Sequence, residues 1–295
     1  MNKNYSLNEY IDIINKYLDN SLGECSFKED IVHNAMKYSL SIGGKRIRPV
    51  LVLEFCRVCG GNIEDAMPFA AAIEMIHTYS LIHDDLPCMD DDDMRRGMPS
   101  CHKKFGEEYA LLAGDGLLTR AFGIIAESEI AKKSPEIAIE AIRLLSSLAG
   151  ANGMIGGQVV DLKNEDKPCG LDVLQTMDSL KTGALIKCSA LLGVVAAGGT
   201  KEQTDAAAAY AENLGHAFQI VDDILDVIGD EKELGKPIGS DADSNKSTYV
   251  SILGIEQSQK FADELTYKAV DSLEIFGSDG DFLRNLATSL VSRKN

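Results

Sequence analysis

No apolar stretch in this chain reaches the eighteen or so uncharged residues needed to cross a bilayer. The nearest, 188–199, is short and rich in Ala and Gly, and reads as a buried helix in a tightly packed bundle. Basic residues are scarce: 29 Lys and Arg face 46 Asp and Glu over 295 residues, a formal charge of -17. That balance excludes a surface for nucleic acid or an anionic membrane. Anionic substrates stay open, because recognition is local and a bound cation reverses the local sign. No secretory leader is read at the N-terminus, and the seven cysteines are odd in number and scattered. Reduced thiols in a cytoplasmic protein are therefore expected. Cys56-x-x-Cys59 has no second pair or histidine at ligand spacing and reads as two small core residues on a helix.

Alternating strand patterns longer than about four residues are also missing. Helical spacing dominates instead: Tyr10-Ile13-Ile14-Tyr17, Val50-Leu53-Val58 and Ala70-Ile73-Ile76 recur at three and four. Similar stripes run through 111–125, 137–148, 185–195, 206–228 and 261–273. Glycine and proline clusters punctuate them at 43–44, 60–61, 97–99, 134–135, 167–170, 198–199 and 235–239. This predicts an all-α fold: about ten to thirteen mostly antiparallel helices joined by short loops around a central cavity. With 45% hydrophobic residues and no linker or low-complexity segment, one domain over 1–295 is expected.

Against this background two acidic clusters stand out. Six aspartates lie within 84–93, and Asp222-Asp223-Ile224-Leu225-Asp226 follows far downstream. A solvated acidic loop is the usual reading of such runs. Here apolar residues precede the first at helical spacing, and the second sits inside the apolar stretch 218–228. An EF-hand needs a central Gly and a closing Glu; counting from Asp84, the sixth position is Met89 and the twelfth Arg95. The two Glu-x-x-His motifs of a di-iron bundle are not there. Asp222 and Asp226, at i and i+4, point to one helix face. Pro87 should loosen the first helix after Asp85 and let Asp90 fold back towards Asp84. Two carboxylate sets facing across a cleft would form a cage for divalent ions. Crowded carboxylates need a counterion, and all-oxygen ligands suit Mg²⁺, usually shared with substrate phosphates. Arg95-Arg96 follow at once and offer phosphate-matching forks. Carboxylates, arginines and apolar walls together suggest a diphosphate ester with an apolar tail.

The segment from His83 to Gly97, His-Asp-Asp-Leu-Pro-Cys-Met-Asp-Asp-Asp-Asp-Met-Arg-Arg-Gly, resembles the first aspartate-rich motif of the trans-isoprenyl diphosphate synthases. Phe218-Gln219-Ile220-Val221-Asp222-Asp223-Ile224-Leu225-Asp226 resembles the second. Gly43-Gly44-Lys45-Arg46-Ile47-Arg48-Pro49, Gly156-Gly157-Gln158-Val159-Val160-Asp161, Lys181-Thr182-Gly183 and Gly235-Lys236-Pro237 stand in the family's order. The resemblance covers nearly the whole chain and is greatest to bacterial farnesyl diphosphate synthases.

The resemblance implies a set of roles. Asp84, Asp90, Asp222 and Asp226 would hold Mg²⁺, three ions in the family, with Mn²⁺ as an alternative. Arg95 and Lys236 would grip an allylic diphosphate. Lys45, Arg48, His77 and Arg96 would bind isopentenyl diphosphate without metal, and Lys181, Thr182 and Gln219 would act near the reacting carbon. Ionisation of the allylic diphosphate, head-to-tail attack by the alkene and proton loss to the departed diphosphate would follow. No Ser-His-Asp or Cys-His set is then required, and none is found. A homodimer without a membrane span is implied as well. Tyr79, five residues before Asp84, would floor the product well and stop growth at C15 farnesyl diphosphate. A C20 geranylgeranyl synthase is the alternative, and a non-catalytic prenyltransferase subunit a more distant one.

The same residues carry plainer readings. Lys45, Arg46 and Arg48 could form an ordinary charged turn, and His77 and Tyr79 could be core residues. Thr182 could be a helix N-cap. Gln158 and Asp161 could cap or pack, and Asp85, Asp91, Asp92 and Asp93 could be solvated.

Overall fold

Ser6 and Glu9 open the first helix with a reciprocal cap, each side chain accepting the other residue's backbone N–H. The computed structural model describes residues 5–25, 30–164, 167–228 and 247–292, and most of them are helical. The all-α expectation holds. Twelve α-helices of eight or more residues occur among the described residues, with three five-residue helices between them. By internal contacts the chain forms two compact units, 1–143 with 195–198, and 144–194 with 199–295.

The first unit contains α1 (Leu7–Ser21), α2 (Ile31–Ser41), α3 (Ile47–Val58), α4 (Ile63–Asp84), α5 (Cys101–Phe105), α6 (Glu107–Ala126) and α7 (Glu129–Lys133). Helix α4 is apolar on nearly all sides and buries the run 66–76 completely, which makes it the central rod of this unit. A two-residue ribbon, β1 (Met94–Arg95) against β2 (Met98–Pro99), pairs Met94 with Pro99 and Arg95 with Met98. It was not foreseen, because two residues per strand leave no alternation to read.

Helix α8 (Pro135–Ala149) crosses from the first set of residues to the second, which contains α9 (Met154–Asn164), α10 (Leu171–Asp178) and a π-turn (Ser179–Gly183). After them come α11 (Ala184–Ala196), α12 (Lys201–Ile228), α13 (Tyr249–Leu253), α14 (Ile255–Asp271), a 3-10 segment (Glu274–Gly280) and α15 (Asp281–Val291). The core of this unit packs Ala217, Ile220, Val221 and Ile224 of α12 against Tyr249, Ala262 and Leu265. Helix α6 and the run 171–196 have the length and hydropathy of a span by composition alone. Two thirds of the best window in the second is buried inside the protein. The first carries Asp115 and Arg120, each costing about 2.5–3.5 kcal/mol at mid-bilayer.

Helix α9 and the π-turn meet backbone to backbone. A Cβ on Gly157 would collide with the Lys181 backbone and the Leu180 carbonyl carbon, so only glycine fits. Gly157→Ala should therefore destabilise the protein by about 1–3 kcal/mol, the usual cost of overpacking. Thermal unfolding checks this, and an unchanged midpoint would show that the two backbones can separate freely.

Candidate active site

In the first unit Asp84 is the last residue of α4 and Asp85 its C-cap. The chain then turns at Pro87, and the Asp90 N–H donates to the Asp84 carbonyl at 2.9 Å, which is the expected fold-back. Asp90 through Asp93 are exposed, whereas Asp85 is 2% exposed. Asp85 is therefore not solvated. It accepts the Arg95 guanidinium through both Nε, at 3.0 Å, and Nη2, while Arg95 also reaches Asp92 at 3.1 Å. Burial pushes the Asp85 carboxyl up, and Arg95 opposes that push.

Asp91, Asp93 and His102 bring ligand atoms within 4.8 Å of one another. His102 Nδ1 bonds Ser100 Oγ at 3.1 Å, and its buried Nε2, with no hydrogen-bond partner among the described residues, lies 3.8 Å from Asp91 Oδ1. Lys103 approaches the same carboxylates, 2.7 Å from Asp93. Carboxylate oxygens fit Mg²⁺, and the imidazole widens the choice to Mn²⁺ and its neighbours, so the donor set suits a divalent cation. Nothing in the sequence singled out His102, whose role depends on the ribbon that brings it back to the aspartates.

The basic turn lies in the same unit. Arg46 occupies the N-cap of α3 at φ 49°, a left-handed conformation uncommon for any residue but glycine. It is not the ordinary charged turn residue that the sequence allowed. Its side chain is buried, with Nη1 on Glu74 at 2.5 Å, Nη2 on the Leu40 carbonyl at 2.5 Å and Nε on Asn15 at 2.9 Å. Lys45 is exposed, and Arg48, half-buried, places Nη1 3.4 Å from His77 Nε2. Burial draws Arg48 down to about 10, so it remains cationic at neutral pH. Burial and then Arg48, Arg96, Arg46 and Arg95 hold His77 well below its ordinary value, so it is neutral there. Arg96 donates to the Gly43 carbonyl, and its guanidinium occupies the space that a Cβ on Gly44 would need. The lone Glu-x-x-His spacing of α4, Glu74 to His77, is thus no metal pair, since Glu74 is committed to Arg46. Tyr79 is 5% exposed and stands edge-on to His83, ring centroids 5.7 Å apart. Its hydroxyl is buried without a hydrogen-bond partner among the described residues.

In the second unit Lys181 and Thr182 belong to the π-turn, a feature often retained at functional sites. Thr182 is therefore not an N-cap; its hydroxyl donates to Gln219 Oε1 at 3.4 Å. Gln219 in turn donates to Asp223, which also accepts the Tyr249 N–H at 2.8 Å. Lys181 Nζ meets Asp161 at 2.5 Å, so Asp161 joins the site that sequence reasoning left it out of. Its spacing after Gln158 was the available signal. Asp161, Asp178, Lys181, Thr182, Gln219 and Asp223 line a cavity of about 140 Å³. On α12, Asp222 is half-buried and Asp226 is 2% exposed, four residues apart on one face. Lys236 lies outside the described residues.

Comparison with known proteins agrees in direction. The profile of the family described as polyprenyl synthetase matches residues 29–274. A farnesyl diphosphate synthase of Micrococcus luteus is 42% identical, covering 97% of this chain and 96% of its own. The large subunit 1 of a heterodimeric chloroplast geranylgeranyl pyrophosphate synthase of Arabidopsis thaliana is 45% identical over 91% of this chain and 73% of its own. A solved Helicobacter pylori geranyltransferase, complexed with magnesium and isoprenyl diphosphate, superposes with a TM-score of 0.85 at 31% identity, covering 98% of each chain.

Asp178 provides a pH test of the second site. Burial, then the neighbouring Asp223, pushes its carboxyl up to about 8. The native state therefore holds a proton that the unfolded chain releases near pH 4. Between those values the native state binds more protons, so this group's stabilisation is lost as pH rises towards 8. Asp178→Asn should gain thermal midpoint over wild type steadily from about pH 4 to about pH 8. A difference that stays constant with pH would contradict the buried, protonated state.

Proposed function

The chain belongs to the polyprenyl synthetase family of trans-isoprenyl diphosphate synthases, and on that premise we propose that it makes C15 farnesyl diphosphate. It is a prenyltransferase that condenses isoprenoid diphosphates by metal-assisted ionisation. The observation that carries the finer reading is Tyr79: a buried ring on α4, five residues before Asp84, where growth of a chain anchored at the aspartates would meet it. Burying five more carbons would favour longer products by about 4 kcal/mol, so a steric stop is needed.

The residues divide the work by chemistry. Arg48, Arg96 and Lys45, with the neutral His77 as an uncharged hydrogen-bonding group, bind the diphosphate of isopentenyl diphosphate directly. Asp84 and Asp90, and on α12 Asp222 and Asp226, would hold Mg²⁺, three ions on the family pattern. When bound, the metal neutralises charge on the departing diphosphate as a Lewis acid. Arg95 and Lys236 add positive charge to the same leaving group. Lys181, aimed by Asp161, and the Thr182–Gln219 pair stabilise charge near the reacting carbon. Apolar walls exclude the water that would otherwise capture the allylic cation. The departing diphosphate takes the proton, so no side-chain base is required.

One all-α catalytic domain, cytoplasmic and homodimeric, completes this reading; the exposed Leu111 and Leu112 of α6 support a pairing face. The second reading, a C20 geranylgeranyl synthase, is favoured by the plastid relative at 45% identity. Incubation with Mg²⁺, isopentenyl diphosphate and each allylic primer should yield C15 as the main product. Tyr79→Ala should shift it to C20 or longer with activity retained. A wild-type C20 product would replace the first reading by the second, and unchanged C15 in the variant would place the floor elsewhere. Asp84→Ala should lose turnover by several orders of magnitude while keeping its thermal midpoint, and a chelator should reproduce the loss. Full activity in chelator would overturn the metal role.

A further inference from the structure

Arg46 has no place in the chemistry just described, yet its buried side chain is held at three acceptors. Its guanidinium takes acceptors from three helices: Asn15 of α1, the Leu40 carbonyl of α2 and Glu74 of α4. The side chains of Arg46 and Glu74 are each 2% exposed. A planar fork of five donors can satisfy three acceptors at once, whereas an ammonium cannot reproduce that layout. The backbone is unusual at the same point. Arg46 adopts φ 49°, and its carbonyl accepts the Val50 N–H, the first hydrogen bond of α3. A left-handed backbone is costly for a residue with a side chain, and the buried contacts of its own side chain hold it there.

The register of α3 follows from this grip. Arg48 is the second residue of α3 and stands at 3.4 Å from His77. His77 lies three residues after Glu74 on α4, so the two share a face one turn apart. Arg46 on Glu74 and Arg48 on His77 are thus consecutive contacts between the start of α3 and the middle of α4. At the other end of the turn, Arg96 closes on the Gly43 carbonyl and packs against Gly44. Lys45 is carried between these two clamps.

We infer that Arg46, through Glu74, is a positioning residue for the isopentenyl diphosphate pocket, fixing the backbone from which Lys45 and Arg48 meet that diphosphate. The inference rests on the proposed function, and it deepens it. Arg46 touches no substrate; it sets where the cations that do so stand. A role in stability alone would weaken both substrates together, whereas positioning of this turn weakens one.

The test is calorimetric titration of isopentenyl diphosphate, and separately of geranyl diphosphate with Mg²⁺, into wild type, Arg46→Lys and Asn15→Ala, with thermal midpoints measured alongside. Arg46→Lys keeps the charge and loses the fork. It should weaken isopentenyl diphosphate about tenfold or more, the worth of a misplaced charge-assisted hydrogen bond, and change the primer by less than about twofold. Asn15→Ala removes one acceptor and leaves the ion pair, so it should move the same affinity in the same direction by less. It decides the matter if Arg46→Lys does not fold. Equal losses for both ligands, or folded variants that bind isopentenyl diphosphate like wild type, would overturn the inference alone. Failure of wild type to bind isopentenyl diphosphate would overturn the functional reading beneath it.

Discussion

A charge pair that water cannot reach sets the geometry of the first unit. Glu74 lies in the middle of the apolar helix α4 and meets Arg46 at 2.5 Å. Leaving either partner alone would strand a buried charge, at a cost of about 3–5 kcal/mol. The pair therefore fixes where α3 begins against α4. From that point α4 acts as a ruler. His77 lies one turn on, Tyr79 follows, and Asp84 closes the helix about 15 Å beyond Glu74 at 1.5 Å per residue. A neutral imidazole, a buried ring and a carboxylate are thus delivered in a fixed order by one rigid element.

The neighbouring arginines 95 and 96 show how an acidic chain keeps a locally positive surface. Arg95 turns to Asp85 and Asp92, which hold its guanidinium at the aspartate turn. Arg96, at φ 53°, turns the other way and donates to a backbone carbonyl rather than a carboxylate. Burial, and then the positive charges of Arg48 and Arg96, keep His77 neutral. The two halves of one short segment therefore serve opposite electrostatics, one suited to a metal and one to a bare anion. In the second unit the pattern is different. Lys181 is held by Asp161, and buried carboxylates on α10 and α12 share their surroundings with Gln219 and Tyr249.

Long periodic helices were legible because burial of one stripe repeats every turn. The stripes at 50–58, 111–125, 137–148 and 206–228 fall inside α3, α6, α8 and α12. The stripe at 261–273 overshoots α14 by two residues, where the chain turns at Ser272. Helices α2, α9, α10 and α15, at 8–11 residues, gave too few apolar repeats to be read as periodic. The family resemblance had grouped Arg48 with His77 and Thr182 with Gln219, and each pair lies in contact. Residues whose meaning depends on a distant partner were misread or passed over. Arg46 looked like a surface cation because charge normally marks exposure. Asp161 and Asp178 acquire significance only through Lys181 and Asp223, and His102 only through the ribbon that returns it to Asp91.

The central claim is that two diphosphates are held by two chemistries, one through carboxylate-bound metal and one through cations directly. Titration of each ligand with Mg²⁺ and with chelator tests it most directly. The account predicts that isopentenyl diphosphate binds with nearly the same affinity in both conditions, while geranyl diphosphate loses most of its affinity in chelator. Metal-dependent binding of isopentenyl diphosphate, or metal-independent binding of geranyl diphosphate, would contradict it.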